Sequence, residues 1–131
     1  MELPDYVDQT SFAWRDLLGV DQWDSFTVSA SLTVVGTPTY VGRYRIVGKQ
    51  CFFEISAVSS TSIASTAGTH YFALPIAAKG VAGFATMTDN TAKAAAGTGV
   101  CHIDIATSRC YVPTQAASAN TFLVAGNYEI G

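Results

Sequence analysis

Charge is what this chain has least of. Only 13% of its 131 residues are Asp, Glu, Lys or Arg, well below the usual quarter for a soluble domain. With seven basic residues, no basic run and a formal charge of −3, it lacks the electropositive footprint of a nucleic-acid binder. Tyr40, Arg43, Tyr44 and Arg45 interleave rings and cations, but no further basic residues extend them into a groove for nucleic acid. Cysteine is equally scarce. Three residues cannot all pair within one chain, and their spacing is not that of a secreted disulfide framework, so reduced thiols are expected. No apolar run approaches the roughly 18 residues of a membrane span, and none is expected to insert. The opening "MELPDYVDQT" is acidic and has no apolar signal core. A cytosolic product is therefore expected, one that travels elsewhere only as part of a particle.

Chemical motifs are missing too. "GTGV" (97–100) has no GK[ST] after it, "AGTH" (67–70) is not a GxSxG elbow, and no CxxC or HExxH occurs. The ten carboxylates form no pair spaced for glycoside hydrolysis. Glu54, among Phe52, Phe53 and Ile55, reads as an outward residue on a half-exposed strand. No catalytic residue, cofactor or metal is expected, and the protein is read as non-enzymatic.

What is present is β-pattern. From residue 26 the apolar positions Phe26, Val28, Ala30, Leu32 and Val34 alternate with Thr and Ser, which predicts one strand with a dry and a wet face. Residues 40–47 form a second, Gly48-Lys49 a hairpin turn, and 50–58 the return, whose large residues on both faces predict a central position. Residues 59–68 read as a polar loop. Short strands follow at 69–74 and 82–88, then a second loop to residue 99. Further strands follow at 100–105, 109–112 and 121–130, the last broken at Ala125-Gly126-Asn127. About eight short strands and almost no helix predict an all-β fold, an antiparallel β-sandwich of jelly-roll type.

The stretch "CHIDIATSRCYV" (101–112) concentrates two cysteines, a histidine and an aspartate. A two-residue hairpin tip at Thr107-Ser108 sorts it cleanly. Cys101, Ile103, Ile105, Cys110 and Val112 face the core, and His102, Asp104, Arg109 and Tyr111 face out. In that register the cysteines are buried, inert and too far apart for a disulfide. His102 and Asp104 share a face but are too few for a zinc site.

Residues 1–25 differ from the rest, holding both tryptophans and five of the seven aspartates. The pattern predicts a short helix over Phe12 to Leu18, capped by Thr10 or Ser11 and ended by Gly19. This segment is read as an arm, and 26–131 as the β-domain. Phe12, Trp14, Leu17, Leu18 and Trp23 are its candidate anchoring residues, because such side chains bury large areas at interfaces. They cover either the chain's own core or a neighbouring subunit.

"YVGRYRIVGKQCFFEIS", a polar loop and "GTHYFALPIAA" resemble a module of tailed-bacteriophage fibre, spike and other virion proteins. Tyr44, Gly48, Lys49, Phe53, Phe72, Leu74 and Pro75 carry the likeness, which spans 26–131. The resemblance implies a β-sandwich that assembles as a homotrimer among other virion proteins. The chain is short and has no shaft or coiled-coil repeat, which fits a small standalone virion subunit: a short fibre, spike or capsid decoration. The alternative is a host-attachment module binding a surface glycan or receptor, with Tyr40, Tyr71 and Tyr111 as receptor-facing residues.

Overall fold

The computed structural model describes residues 23–81 and 83–131. Among them are twelve strands and no helix: β1 (Asp24–Phe26), β2 (Ala30–Ser31), β3 (Thr33–Val35), β4 (Thr39–Val47), β5 (Gln50–Val58), β6 (Ser62–Ser65), β7 (Tyr71–Ala73), β8 (Gly83–Asp89), β9 (Ala94–Asp104), β10 (Arg109–Tyr111), β11 (Gln115–Ser118) and β12 (Thr121–Glu129). The fold is all-β and sandwich-like, as the alternation predicts. A nine-stranded antiparallel sheet, ordered β1-β4-β5-β12-β8-β9-β10-β7-β2, curls into a half-barrel, and a three-stranded sheet, β11-β6-β3, accompanies it. The curl brings opposite ends of the large sheet together across the core. Tyr40 of β4 meets Phe72 of β7 edge to face, centroids 6.0 Å apart.

The long strands follow directly from their side chains. In β5, Cys51, Phe53, Ile55 and Ala57 are buried, and in β12 so are Phe122, Val124 and Tyr128. β5 lies between β4 and β12, the central position its two large-residue faces require. Val47 pairs with Gln50, leaving Gly48-Lys49 as a two-residue turn. Gly48 has φ +61° and Lys49 has no positive φ, which places glycine at the first central position, as in a type II′ turn.

Four expectations are corrected. The stretch 26–34 is not one strand. β1 pairs with β4, β2 with β7 and β3 with β6, so the chain turns corners around the end of the core. The alternation survives because Phe26, Val28, Ala30 and Leu32 all still pack against that core. The polar loop 59–68 contains β6, because Ile63 is a fully buried core residue and Ser65 donates its hydroxyl to Pro113 O at 2.6 Å. The loop to residue 99 is mostly the start of β9. Ala96 is buried there, and the pairing with β8 shifts register between Thr86 and Thr88. Lastly, β12 runs unbroken through 125–127, paired on both sides.

Gly126 is the reason that last strand stays regular. A Cβ there would collide with Phe84 O and crowd Ala85 (Cβ 2.6 Å away) on the neighbouring β8. The small residue permits close strand approach rather than marking a bend. Gly126→Ala is expected to destabilise the domain by roughly 1–3 kcal/mol, as overpacking does, measurable by urea denaturation.

Asp89 closes the turn between β8 and β9. Its carboxylate accepts Asn120 Nδ2 at 2.7 Å and the backbone N–H groups of Thr91 and Ala92, both at 3.0 Å. The bond from Asn120, followed by that from Ala92, holds its pKa below the ordinary carboxylate value. A carboxylate more acidic in the fold than in the unfolded chain adds stability that is complete above the unfolded pKa, about 3.9. That stability is lost as pH falls through the lower folded value. Thermal midpoints should therefore fall below about pH 4. Asp89→Asn should melt lower at pH 6 and show a shallower acid decline; an unchanged profile would contradict the assigned role.

Candidate functional site

The ribbon of 101–112 folds as a hairpin with its faces sorted as expected, but the turn is longer. Arg109 pairs with Asp104, Cys110 with Ile103 and Tyr111 with His102, leaving a four-residue loop, 105–108. The register differs from the two-residue hairpin by two positions, and an even shift keeps every side chain on its face. Asp104 causes the longer loop. Its carboxylate accepts the Thr107 hydroxyl at 2.6 Å and the Ala106 N–H at 3.1 Å, while Ser108 takes φ +54°. Those bonds, led by the one from Thr107, hold its pKa below the usual range. Ser108 is tied to the connection that follows β7, its Oγ accepting from Ala78 N at 2.8 Å. Ile105 thus lies in the loop rather than across from Cys110.

The register shift also corrects the cysteine geometry. Cys101 and Cys110 are not remote: their thiols are within hydrogen-bonding contact, which together with burial raises the Cys110 pKa far above an ordinary thiol. Both are buried, as is Cys51, and all three are free thiols. His102 is exposed on the opposite face of β9, and His70 Nδ1 accepts from Thr66 N at 2.8 Å, closing its own loop. Neither imidazole serves a thiol. Among the described residues no three His, Cys, Asp or Glu side chains group to hold a metal ion. All three thiols should resist a disulfide reagent in the native protein and react together at the rate of global unfolding. Rapid native-state labelling of Cys101 or Cys110 would overturn this placement.

The more open feature is the outer face of β4, β5, β12 and β8, continued by Val100 of β9. Their registers set side chains in rows: Val41, Ser56, Leu123 and Thr88 in one; Arg43, Glu54, Ala125, Thr86 and Val100 in the next; Arg45, Phe52, Asn127 and Phe84 in a third. The first two rows, Val100 apart, line a groove of about 570 Å³. Val41 is 60% exposed, Phe84 62% and Val100 67%. The charges within the groove are one pair, Arg43 with Glu54, at 2.7 Å. Glu54 is therefore an outward, paired carboxylate. Alternation within β4 and β5 made half of this face visible in the sequence. The partners on β12 and β8 were not visible, because strand order is set by the whole core.

Trp23 is the one anchoring candidate among the described residues; Phe12, Trp14, Leu17 and Leu18 lie outside them, as does the expected helix. Its ring lies under the guanidinium of Arg43 at 4.9 Å and that of Arg45 at 5.1 Å, and Arg45 also covers Phe52 at 5.4 Å. The chain thus enters the domain on the groove's own face. The residues just after it, though read as part of the arm, already belong to the sheet as β1.

The three tyrosines read as receptor-facing are divided. Tyr71 and Tyr111 are cross-strand partners with centroids 5.5 Å apart. Arg109 stacks over Tyr71 at 4.1 Å. Tyr40 is separate from them, half-buried against Phe72, and burial raises its pKa. No family model matches this chain, and no curated protein or solved structure matches it either. No helix among the described residues is long and apolar enough to cross a membrane.

Proposed function

We propose that the chain is a non-enzymatic bacteriophage virion subunit, a homotrimer joined to the particle through its N-terminal segment and displayed as a short fibre, spike or capsid decoration. The observation that carries this reading is the surface of the central sheet: Val41, Leu123, Phe84 and Val100 stand exposed among Ser, Thr and Ala. Such a face is easily buried by symmetry, since little charge must be desolvated. The residues that carry the likeness to phage modules have coherent structural work here. Phe53, Phe72 and Leu74 are buried in one core with Tyr44 against it, and Gly48-Lys49 is the hairpin turn.

The attachment-module reading keeps one supporting observation, the paired rings of Tyr71 and Tyr111 beside Arg109. Rings of this kind stack on sugar faces. Light scattering of the full-length protein should give the mass of three chains, and a monomer would overturn the trimeric reading. Binding of the isolated protein to a glycan array, abolished by Tyr111→Ala, would shift the weight to the attachment reading.

A further inference from the structure

Tyr111 also borders a cleft of about 450 Å³ that shares no lining residue with the groove. Its walls are Thr98 and His102 of β9, Tyr111 and Thr114 at and beyond β10, and the loop at Ala67-Gly68. Val100 stands at the border between cleft and groove. The loop is pinned from several sides. Ala67 N donates to Thr114 Oγ1 at 2.9 Å, Thr66 N to His70 Nδ1 at 2.8 Å, and Val112 N to His70 O at 3.1 Å. The cleft is thus preformed, and its volume falls in the range of small-molecule sites.

The side chains that line it are set up to donate. Thr114 Oγ1 accepts from Ala67 N, Thr98 Oγ1 from Val100 N at 3.4 Å, and the Tyr111 hydroxyl oxygen from Arg109 Nη1 at 3.4 Å. A hydroxyl that accepts an N–H still has its own proton to give. His102, exposed beside them, adds a ring N–H. Among the described residues no carboxylate lines the cleft. Asp104, on the same face of β9, has its carboxylate engaged by Thr107 and Ala106 of its own loop. Arg109, laid on Tyr71 at 4.1 Å and bonded to Tyr111, fixes a positive charge beside the Tyr111 ring. A neutral sugar brings hydroxyl protons that need acceptors in return, whereas a sugar carboxylate needs donors only.

We propose that this cleft binds a carboxylate-bearing pyranose, of the sialic or uronic acid class, with its apolar face on the Tyr111 ring and its carboxylate among Thr98, Thr114 and His102. Hydrogen bonds to an ionised acceptor are roughly twice as strong as neutral ones, so the carboxylate carries the selectivity. The inference rests on the attachment reading and names the ligand of that site.

Full-length protein is tested on an array of N-acetylneuraminic acid and glucuronic acid glycans, each beside its counterpart with the carboxyl reduced to the alcohol. One acid series should bind at least tenfold more tightly than its reduced form, and the series that binds identifies the sugar. Thr98→Trp, at an exposed position on β9, fills the cleft without touching Tyr71 or the core and should weaken binding at least tenfold. Thr98→Ser keeps the donor and should bind as the wild type does. Thermal melts establish that each variant is folded. Equal binding of acid and reduced glycans would overturn the proposal and leave the attachment reading standing. So would glycan binding that Tyr71→Ala abolishes and Thr98→Trp leaves intact, since it would put the sugar on the outer rings. Absence of binding to every glycan would overturn both.

Discussion

Strand β12 is hydrogen-bonded to β5 from Thr121↔Val58 to Glu129↔Gln50, and on its other side to β8 from Phe122↔Asp89 to Tyr128↔Gly83. This double pairing satisfies the backbone of the strand that crosses the middle of the core. Its register is fixed by Phe122, Val124 and Tyr128, since a slip of one residue would turn all three into water. Each large side chain so exposed would forfeit about 1.5–3 kcal/mol of burial. The remaining strands are placed by reference to this one. β4 completes the wall beyond β5, and β9 carries the sheet round from β8 to β10 and β7.

Closure of the curl then rests on a few polar contacts that apolar packing alone would not specify. Tyr128, fully buried, donates its hydroxyl to Ile76 O at 2.7 Å and accepts from Ile76 N at 3.1 Å. A single phenol thereby satisfies both backbone groups of a residue in the connection between β7 and β8, and burial, followed by its contact with Cys51, suppresses its ionisation. At the other end, Ser59 donates to Asn120 O at 2.9 Å and Asn120 donates to Asp89. The β5–β6, β8–β9 and β11–β12 connections are thus tied together. Buried polar groups of this kind are costly unless paired, so once paired they favour one closure over its alternatives.

The parts of this fold legible in the sequence were those governed by local period. The β4–β5 hairpin, the burial of alternate residues in β5 and the two faces of the 101–112 ribbon follow from side-chain alternation and from Gly48. Strand boundaries in small-residue stretches did not follow. Residues 94–99 and 62–65 are Ala, Gly, Ser and Thr with one isoleucine, which signal a loop by composition. They become strands because neighbouring backbone edges require partners and because Ala96 and Ile63 fit the core. The same limit hid half of the outer groove. Leu123 and Thr88 reach Val41 only through the order β4-β5-β12-β8, which depends on contacts distant in sequence. The Cys101–Cys110 contact was missed for a smaller reason: Asp104 caps a four-residue loop where the pattern alone allowed two.

Covering the groove desolvates one ion pair, already satisfied between Arg43 and Glu54, along with hydroxyls of Ser56, Thr86 and Thr88 that need new partners or retained water. Apolar area therefore supplies the affinity of whatever covers this face, while the Trp23, Arg43 and Arg45 cluster at its rim supplies orientation. These contributions respond differently to salt. Exposed charges separated by more than about 8 Å are screened at physiological ionic strength, whereas burial of Val41 and Leu123 is not. A cover that depended on charge would loosen as salt rises. One that depended on the apolar floor would persist, and the groove's lining, whose charges are already satisfied as the Arg43–Glu54 pair, favours the second.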